Sequence, residues 1–216
     1  MLERMAEFFE KRLCEYDEHM LTCIESAPEF YRLTANVLPK KKETEIIDLG
    51  CGTGLELTEY FAVNPTAVVI GIDISVGMLD ELKRKFPSKN IKTVLGSYFE
   101  IPFGEEQFDA AVSVESLHHF TKEEKISLYK KLHVSLKKGG YFILTDYFSM
   151  SEEEEIQHRS ELLRLKKEQS AEEGVLYHYD TPLTVEHETE ALIKAGFSSV
   201  HVLGSWGATF TLRADR

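Results

Sequence analysis

A glycine-rich stretch between a predicted strand and a predicted helix is the part of this sequence best suited to bind a ligand. Residues 46–54 read Ile-Ile-Asp-Leu-Gly-Cys-Gly-Thr-Gly, so Asp48 precedes three glycines on alternate positions. Glycine accepts positive φ angles and has no Cβ atom, so a ligand can approach the backbone of such a turn closely. A helix that begins at Leu55 would direct its free N–H groups back at the turn. The spacing predicts a nucleotide-type site, although an ordinary strand-to-helix connection is also compatible with it.

A carboxylate follows at a distance that fits this interpretation. The apolar run 67–72 ends at Asp73, nineteen positions after Gly54. A carboxylate about 20 residues after a glycine loop in a strand-helix-strand unit can accept both hydroxyls of an adenosine ribose. A dinucleotide fingerprint would also need glycine at position 55, which is Leu55 here. The spacing therefore disfavours an NAD-dependent oxidoreductase, which stays open as an alternative.

Composition limits the class of protein. The chain has 216 residues, 43% of them hydrophobic, as expected for a single globular domain. Its net charge of −12 disfavours nucleic acid as a partner, because phosphate binding depends on clustered Lys and Arg. Three cysteines without a C-x-x-C pair suggest neither a disulfide framework nor a zinc site. With no secretory leader and no apolar run of about 20 residues, we expect a soluble cytoplasmic protein without membrane contact.

Predicted strands and helices alternate along the chain, which favours an α/β fold with a parallel sheet and helices on both faces. The predicted strands are 46–49, 67–72, 91–95, 108–114 and 141–145. The predicted helices are 76–86, 122–136 (ended by Gly139-Gly140), 152–172 and 185–195. Two further strands, 200–203 and 208–212, are separated by only four residues. Because parallel neighbours need a longer crossover, these two strands must form an antiparallel hairpin.

An acid followed by G-x-G-x-G is formed by Asp48, Gly50, Gly52 and Gly54. This pattern resembles the first motif of the class I S-adenosylmethionine-dependent methyltransferases. The resemblance extends to about Leu212 and implies a Rossmann-like, mostly parallel seven-stranded sheet with a C-terminal antiparallel hairpin strand. It also implies one methyltransferase domain, 1–216. Its expected parts are a helical lid (1–37), a cofactor-binding core (45–146), a helical segment near the acceptor site (151–195) and the terminal hairpin (198–213).

The resemblance also assigns a cofactor, S-adenosylmethionine, and residues to hold it. Asp73 would bind the ribose, and Tyr16, in a Tyr-Asp pair typical of N-terminal lids, would approach the methionine end. Residues 96–103 resemble the family's G-D-A-x-x-L-P-F adenine loop, with Ser97 where aspartate is usual. A neutral hydroxyl should accept a weaker hydrogen bond than a carboxylate. The full expected cofactor set is Tyr16, Asp48, Gly50, Cys51, Gly52, Thr53, Gly54, Asp73, Ile74, Met78, Ser97, Tyr98, Phe99, Val114 and Glu115.

The Leu-His-His-Phe sequence at 117–120 follows the fourth strand, where the family holds the methyl group to be transferred. His118 and His119 are the candidate catalytic residues, since imidazole titrates near neutrality and can act as a general base. Glu115, His118 and His119 could instead be metal ligands. The motif lacks the further set of ligands that a metal site needs, and we expect no metal. His19, Tyr147, His178 and Tyr179 are the expected acceptor-pocket residues.

The sequence thus favours a methyltransferase that acts on a small-molecule acceptor and releases S-adenosylhomocysteine. A tRNA methyltransferase and a domain that binds the cofactor without catalysis remain alternatives. The acceptor, the atom methylated and the oligomeric state are not determined by these residues.

Overall fold

The computed structural model describes residues 1–216. Its strands are β1 Glu3–Arg4, β2 Glu45–Leu49, β3 Val68–Asp73, β4 Asn90–Leu95, β5 Phe108–Val114, β6 Leu136–Tyr147, β7 Tyr177–His178, β8 Ser199–Trp206 and β9 Thr209–Asp215. Its helices are α1 Met5–Cys23, α2 Ala27–Val37, α3 Leu55–Val63, α4 Val76–Lys85, α5 Lys122–Ser135, α6 Glu152–Glu168 and α7 Val185–Ala195, with a 3₁₀ turn at Leu117–His119. None of these helices combines the length and the apolar character needed to cross a membrane.

Seven strands form one sheet in the order β4-β3-β2-β5-β6-β9-β8. The pairs from β4 to β6 are parallel, whereas β9 is antiparallel to both β6 and β8. The expected seven-stranded, mostly parallel sheet with a C-terminal hairpin is therefore confirmed. Residues 207–208 link the hairpin strands, so both strands are longer than the sequence pattern indicated.

Helices cover both faces of the sheet, as predicted. Successive residues of a strand point to opposite faces, so Ile46 packs into one apolar cluster and Ile47 into the other. The cluster around Ile46 contains buried residues of α2, α3 and α4, among them Phe30 and Tyr60. The cluster around Ile47 contains residues of α5 and α7. The sheet is thus buried on both sides, and its strand ends remain available for a site.

The segment around Gly139-Gly140 differs from the prediction that this pair ends a helix. α5 ends at Ser135, and β6 begins immediately at Leu136. The register between β5 and β6 shifts between Phe108 and Ala110, so residues 137–140 form an irregular bulge. Gly139 has φ +78°, a conformation that glycine adopts readily. The glycine pair therefore belongs to a bulge in a strand.

The predicted end of α6 near residue 172 is also wrong, since α6 ends at Glu168.

The N-terminal helix lies over the strand ends and is joined to the chain before α7. β1 pairs with β7 antiparallel, in the register Glu3 with His178 and Arg4 with Tyr177. We call residues 3–23 together with 176–180 the cover. The cover is also attached at the other side, where the Glu10 carboxylate accepts a hydrogen bond from Ser75 Oγ at 2.8 Å. The pairing of β1 with β7 was not predicted, because strands of two residues leave no periodic pattern.

Candidate active site

The glycine loop after β2 is held against the end of β3 by backbone hydrogen bonds. Gly50 and Cys51 both donate from their N–H groups to the Ile72 carbonyl, at 2.9 and 3.1 Å. Gly50, Gly52 and Gly54 all have positive φ. A Cβ atom on Gly50 would lie 2.7 Å from Ser116 Cβ, whereas one on Gly52 would meet nothing closer than Tyr16, at 3.9 Å. The loop thus packs tightly at Gly50 and leaves open space at Gly52.

Asp73, at the end of β3, is oriented by two backbone amides. Its Oδ2 accepts from Gly52 N at 2.9 Å, and its Oδ1 accepts from Ser75 N at 2.8 Å. Burial raises the pKa of Asp73, and the hydrogen bonds from Ser75 and Gly52 oppose that shift. Each carboxylate oxygen keeps a further lone pair for a hydroxyl donor.

These groups border a narrow cleft. Nine of the fifteen expected cofactor residues line it. They are Tyr16, Gly50, Gly52, Asp73, Ile74, Met78, Ser97, Tyr98 and Glu115. The lining of the narrow cleft therefore comes from both the strand ends and the cover.

The turn at 97–101 forms one side of the narrow cleft and is held from behind by α5. Lys131 Nζ donates to the carbonyls of Tyr98, Phe99 and Ile101, at 2.5, 3.0 and 2.8 Å. Ser97 Oγ accepts from Phe99 N at 3.2 Å while its residue lines the cleft. The serine at the usual aspartate position therefore shapes the turn as well as facing the cleft.

The other six expected cofactor residues do not line the narrow cleft. They are Asp48, Cys51, Thr53, Gly54, Phe99 and Val114. The Asp48 carboxylate is buried beneath the loop without a hydrogen-bond partner. Burial and the neighbouring Glu56 raise its pKa. Thr53 donates to Asp17 of α1 at 2.5 Å, which ties the glycine loop to the cover.

A wide cleft with a volume of about 710 Å³ adjoins the narrow one. The two share one wall, made by Phe9, Tyr16, Glu115 and His119. Of the expected acceptor residues, His19, Tyr147 and His178 line the wide cleft. Tyr179 does not; its backbone carbonyl lies 3.3 Å from His119 Nδ1. Both candidate catalytic residues lie on the wide cleft, and His119 also lines the narrow one.

The two histidines lie in a group of charged side chains. His118 Nδ1 is 2.5 Å from Asp146 Oδ1 at the end of β6, and His119 Nδ1 is 3.1 Å from Asp180 Oδ1 on the cover. Burial lowers the pKa of His118, but Asp146, Asp180 and Glu115 together outweigh burial and raise it to about 9. For His119, burial and then the charge on His118 lower the pKa. Burial and Asp146 raise the pKa of Glu115 to about 8.

Sequence reasoning missed several residues that line the clefts. In the narrow cleft they are Met5, Phe9, Ser116, Phe120 and Leu176. In the wide cleft they are Phe8, Phe9, Arg12, Glu15, Met20, Ile24 and Thr209. Met5, Phe8 and Phe9 recur at helical spacing, which is the pattern of a packed core as much as of a lid. The sequence does not show where these residues lie in the fold, and that position decides whether they pack in the core or line a cleft.

Comparisons with known proteins agree with this geometry. The family described as "Methyltransferase domain" matches residues 46–140. The chain is 29% identical over 172 residues to the biotin biosynthesis bifunctional protein BioHC of Teredinibacter turnerae, covering 69% of this chain and 30% of that protein. It is 32% identical over 99 residues to a Saccharomyces cerevisiae tRNA (carboxymethyluridine(34)-5-O)-methyltransferase, covering 45% of this chain and 33% of that protein. The chain thus spans about a third of the length of these two relatives.

A crystal structure of an S-adenosylmethionine-dependent methyltransferase from Mesorhizobium loti has the same fold. Its TM-score is 0.65 at 20% identity, over 88% of this chain and 97% of that one. The site residues also fit the family's cofactor, because the glycine loop presents open space at Gly52 and Asp73 is oriented at the same cleft. The matching domain, the fold and the site residues together support a class I S-adenosylmethionine-dependent methyltransferase.

Proposed function

We propose that this protein transfers a methyl group from S-adenosylmethionine to a small-molecule acceptor held in the wide cleft. The observation that carries the proposal is the wall shared by the two clefts, which includes Tyr16 and His119. A cofactor in the narrow cleft would reach the acceptor across that wall. When bound, S-adenosylmethionine supplies an electrophilic methyl group on a sulfonium.

The chain's own contribution is alignment and exclusion of water. Methyl transfer is a displacement in which the sulfonium loses its charge, so carboxylates beside it stabilise the ground state at least as well as the transition state. Much of the rate would then come from holding the reacting atoms about 3–3.5 Å apart in a dry site. Met5 and Leu176 of the cover line the narrow cleft and would exclude water there. His118 and His119 remain the predicted residues to contact the acceptor.

The charge on the wide cleft supports a small molecule over tRNA. Arg12 is the only Lys or Arg among the lining residues, which also include Glu15, Glu115 and Asp180. Binding to nucleic acid depends on several cations that neutralise phosphates. The similarity to a yeast tRNA methyltransferase keeps tRNA as a second candidate, but that similarity covers 45% of this chain.

A labelled-methyl assay tests the proposal. The protein is incubated with methyl-labelled S-adenosylmethionine and a panel of phenols, thiols, amines and carboxylic acids, with bulk tRNA in a parallel reaction. We expect label in at least one small molecule and none in tRNA. Label only in tRNA would favour the second candidate. Tight cofactor binding without transfer to any acceptor would favour the non-catalytic alternative.

A further inference from the structure

Two ring nitrogens and a carboxylate oxygen converge on the wall of the wide cleft. His118 and His119 come from the 3₁₀ turn after β5, and Asp180 comes from the cover. Asp180 Oδ1 lies 3.1 Å from His119 Nδ1 and 3.5 Å from His118 Nε2. One ligand atom from each of the three residues lies within 4.8 Å of the other two.

Two of these separations match those between neighbouring ligands of one metal ion. Zinc bonds of roughly 2.0–2.1 Å hold tetrahedral ligand atoms about 3.3–3.4 Å apart. The 3.1 and 3.5 Å separations lie on either side of that value. A metal ion on His119 Nδ1 would replace the contact that this nitrogen makes with the Tyr179 carbonyl at 3.3 Å.

His118 is already oriented by a second carboxylate. Its Nδ1 is 2.5 Å from Asp146 Oδ1, which leaves Nε2 on the side of Asp180. Asp146 is itself fixed, because Leu117 N and Tyr147 N donate to it at 2.9 and 3.0 Å. A carboxylate that binds the far nitrogen of a histidine is the usual outer support of a metal-ligating imidazole.

Asp180 Oδ1 is buried and has no hydrogen-bond partner apart from its contacts with the two imidazoles. The rest of the Asp180 side chain is accessible, with a relative exposure of 45%. Most buried polar oxygens in proteins have a partner, so this atom requires an explanation. A bound cation would provide one.

We propose that His118, His119 and Asp180 bind a divalent transition-metal ion such as zinc, which two imidazoles and one carboxylate ligate in some catalytic sites. The sequence motif alone offered no third ligand, and Asp180 supplies it from 61 residues after His119. Three protein ligands leave a coordination position open, as in catalytic zinc sites. As a consequence that rests on the proposed function, this position would receive a hydroxyl or thiol of the acceptor.

Metal titration of the intact protein tests the site. The chelator-treated protein is titrated with Zn²⁺ by calorimetry and with Co²⁺ by visible absorption, without cofactor or acceptor. We expect one equivalent of Zn²⁺ and a Co²⁺ spectrum of low-coordinate nitrogen and oxygen ligation. Asp180→Asn and His119→Gln should each weaken Zn²⁺ binding at least about tenfold, in line with losses seen around metal sites.

His187→Gln is the matched control, because His187 Nδ1 lies 2.8 Å from Glu155 outside both clefts. This variant should bind Zn²⁺ like the wild type. Failure of the wild type to bind either ion, or unchanged affinity in both site variants, would overturn the proposal and leave an ion-pair network in its place. Circular dichroism checks the fold of each variant. Because no methyl donor is present, the metal result is independent of the transferase assay.

Discussion

The narrow cleft is formed mainly at strand ends, where glycines and backbone amides set its shape, whereas side chains that meet from distant segments form the wide cleft. Gly50, Gly52 and Asp73 belong to two adjacent parallel strands and their loops. Asp180 and Arg12, in contrast, reach the wide cleft from opposite ends of the chain. A site made by local backbone geometry leaves a motif in the sequence, and a site made by tertiary contacts leaves only scattered residues.

Gly50→Ala should have the largest effect, because it disrupts the backbone geometry of the narrow cleft. The new Cβ atom would lie 2.7 Å from Ser116 Cβ at a φ of +74°. We expect a loss of stability of roughly 2–5 kcal/mol, from left-handed strain and overpacking together, and no measurable cofactor binding. Gly139→Ala is the control, since its φ is +78° but no atom lies within 4 Å of the new Cβ.

Denaturant unfolding and calorimetry measure the two effects. Gly139→Ala should lose only about 1–2 kcal/mol and keep its cofactor affinity. Equal losses of stability in the two variants would mean that backbone strain alone, and not the close approach to Ser116, explains why glycine is needed at position 50.

Asp73→Ala comes next in expected size. It removes a charged acceptor from the side of the cleft that is predicted to hold the ribose, and hydrogen bonds to charged groups contribute about 1.5–3 kcal/mol. Affinity for S-adenosylmethionine should fall by roughly 10- to 150-fold in calorimetric titration. Asp80→Ala, on the exposed face of α4, should bind the cofactor normally. Unchanged affinity in a folded Asp73→Ala variant would show the ribose assignment to be wrong.

Lys131→Met should have the smallest effect, because Lys131 acts on the cleft only through the turn at 97–101. Its ammonium group bonds three carbonyls of that turn. The turn keeps its own backbone hydrogen bonds from Glu100 and Ile101 to Ser97, so we expect cofactor affinity to fall only about three- to tenfold.

The neighbouring exposed Lys130 provides the control variant, Lys130→Met. Hydrogen exchange at residues 98–101 should rise in Lys131→Met and stay unchanged in the control. A lower affinity without faster exchange would argue against a positioning role for Lys131.

The sequence predicted the sheet and much of the narrow cleft for the same physical reason. Alternating buried strands, the caps at Ser75 and Thr184, and the glycine loop are all encoded within a few residues of the positions they determine. The bulge at Gly139 was missed because a glycine pair after a helical pattern also fits a helix end. Asp180 was missed as a possible ligand because its proximity to His119 depends on how the cover packs.

The pairing of β1 with β7 has a consequence for the order in which molecules enter and leave. Met5 and Leu176, which follow and precede these strands, both line the narrow cleft, and Met5 N donates to the Leu176 carbonyl at 2.9 Å. We expect this hydrogen-bonded join to open when a cofactor seated beneath it exchanges, while the wide cleft stays accessible. We therefore expect compulsory-order kinetics, with the methyl donor first on and its demethylated product last off. Product-inhibition patterns with S-adenosylhomocysteine would test this order, and random-order patterns would contradict it.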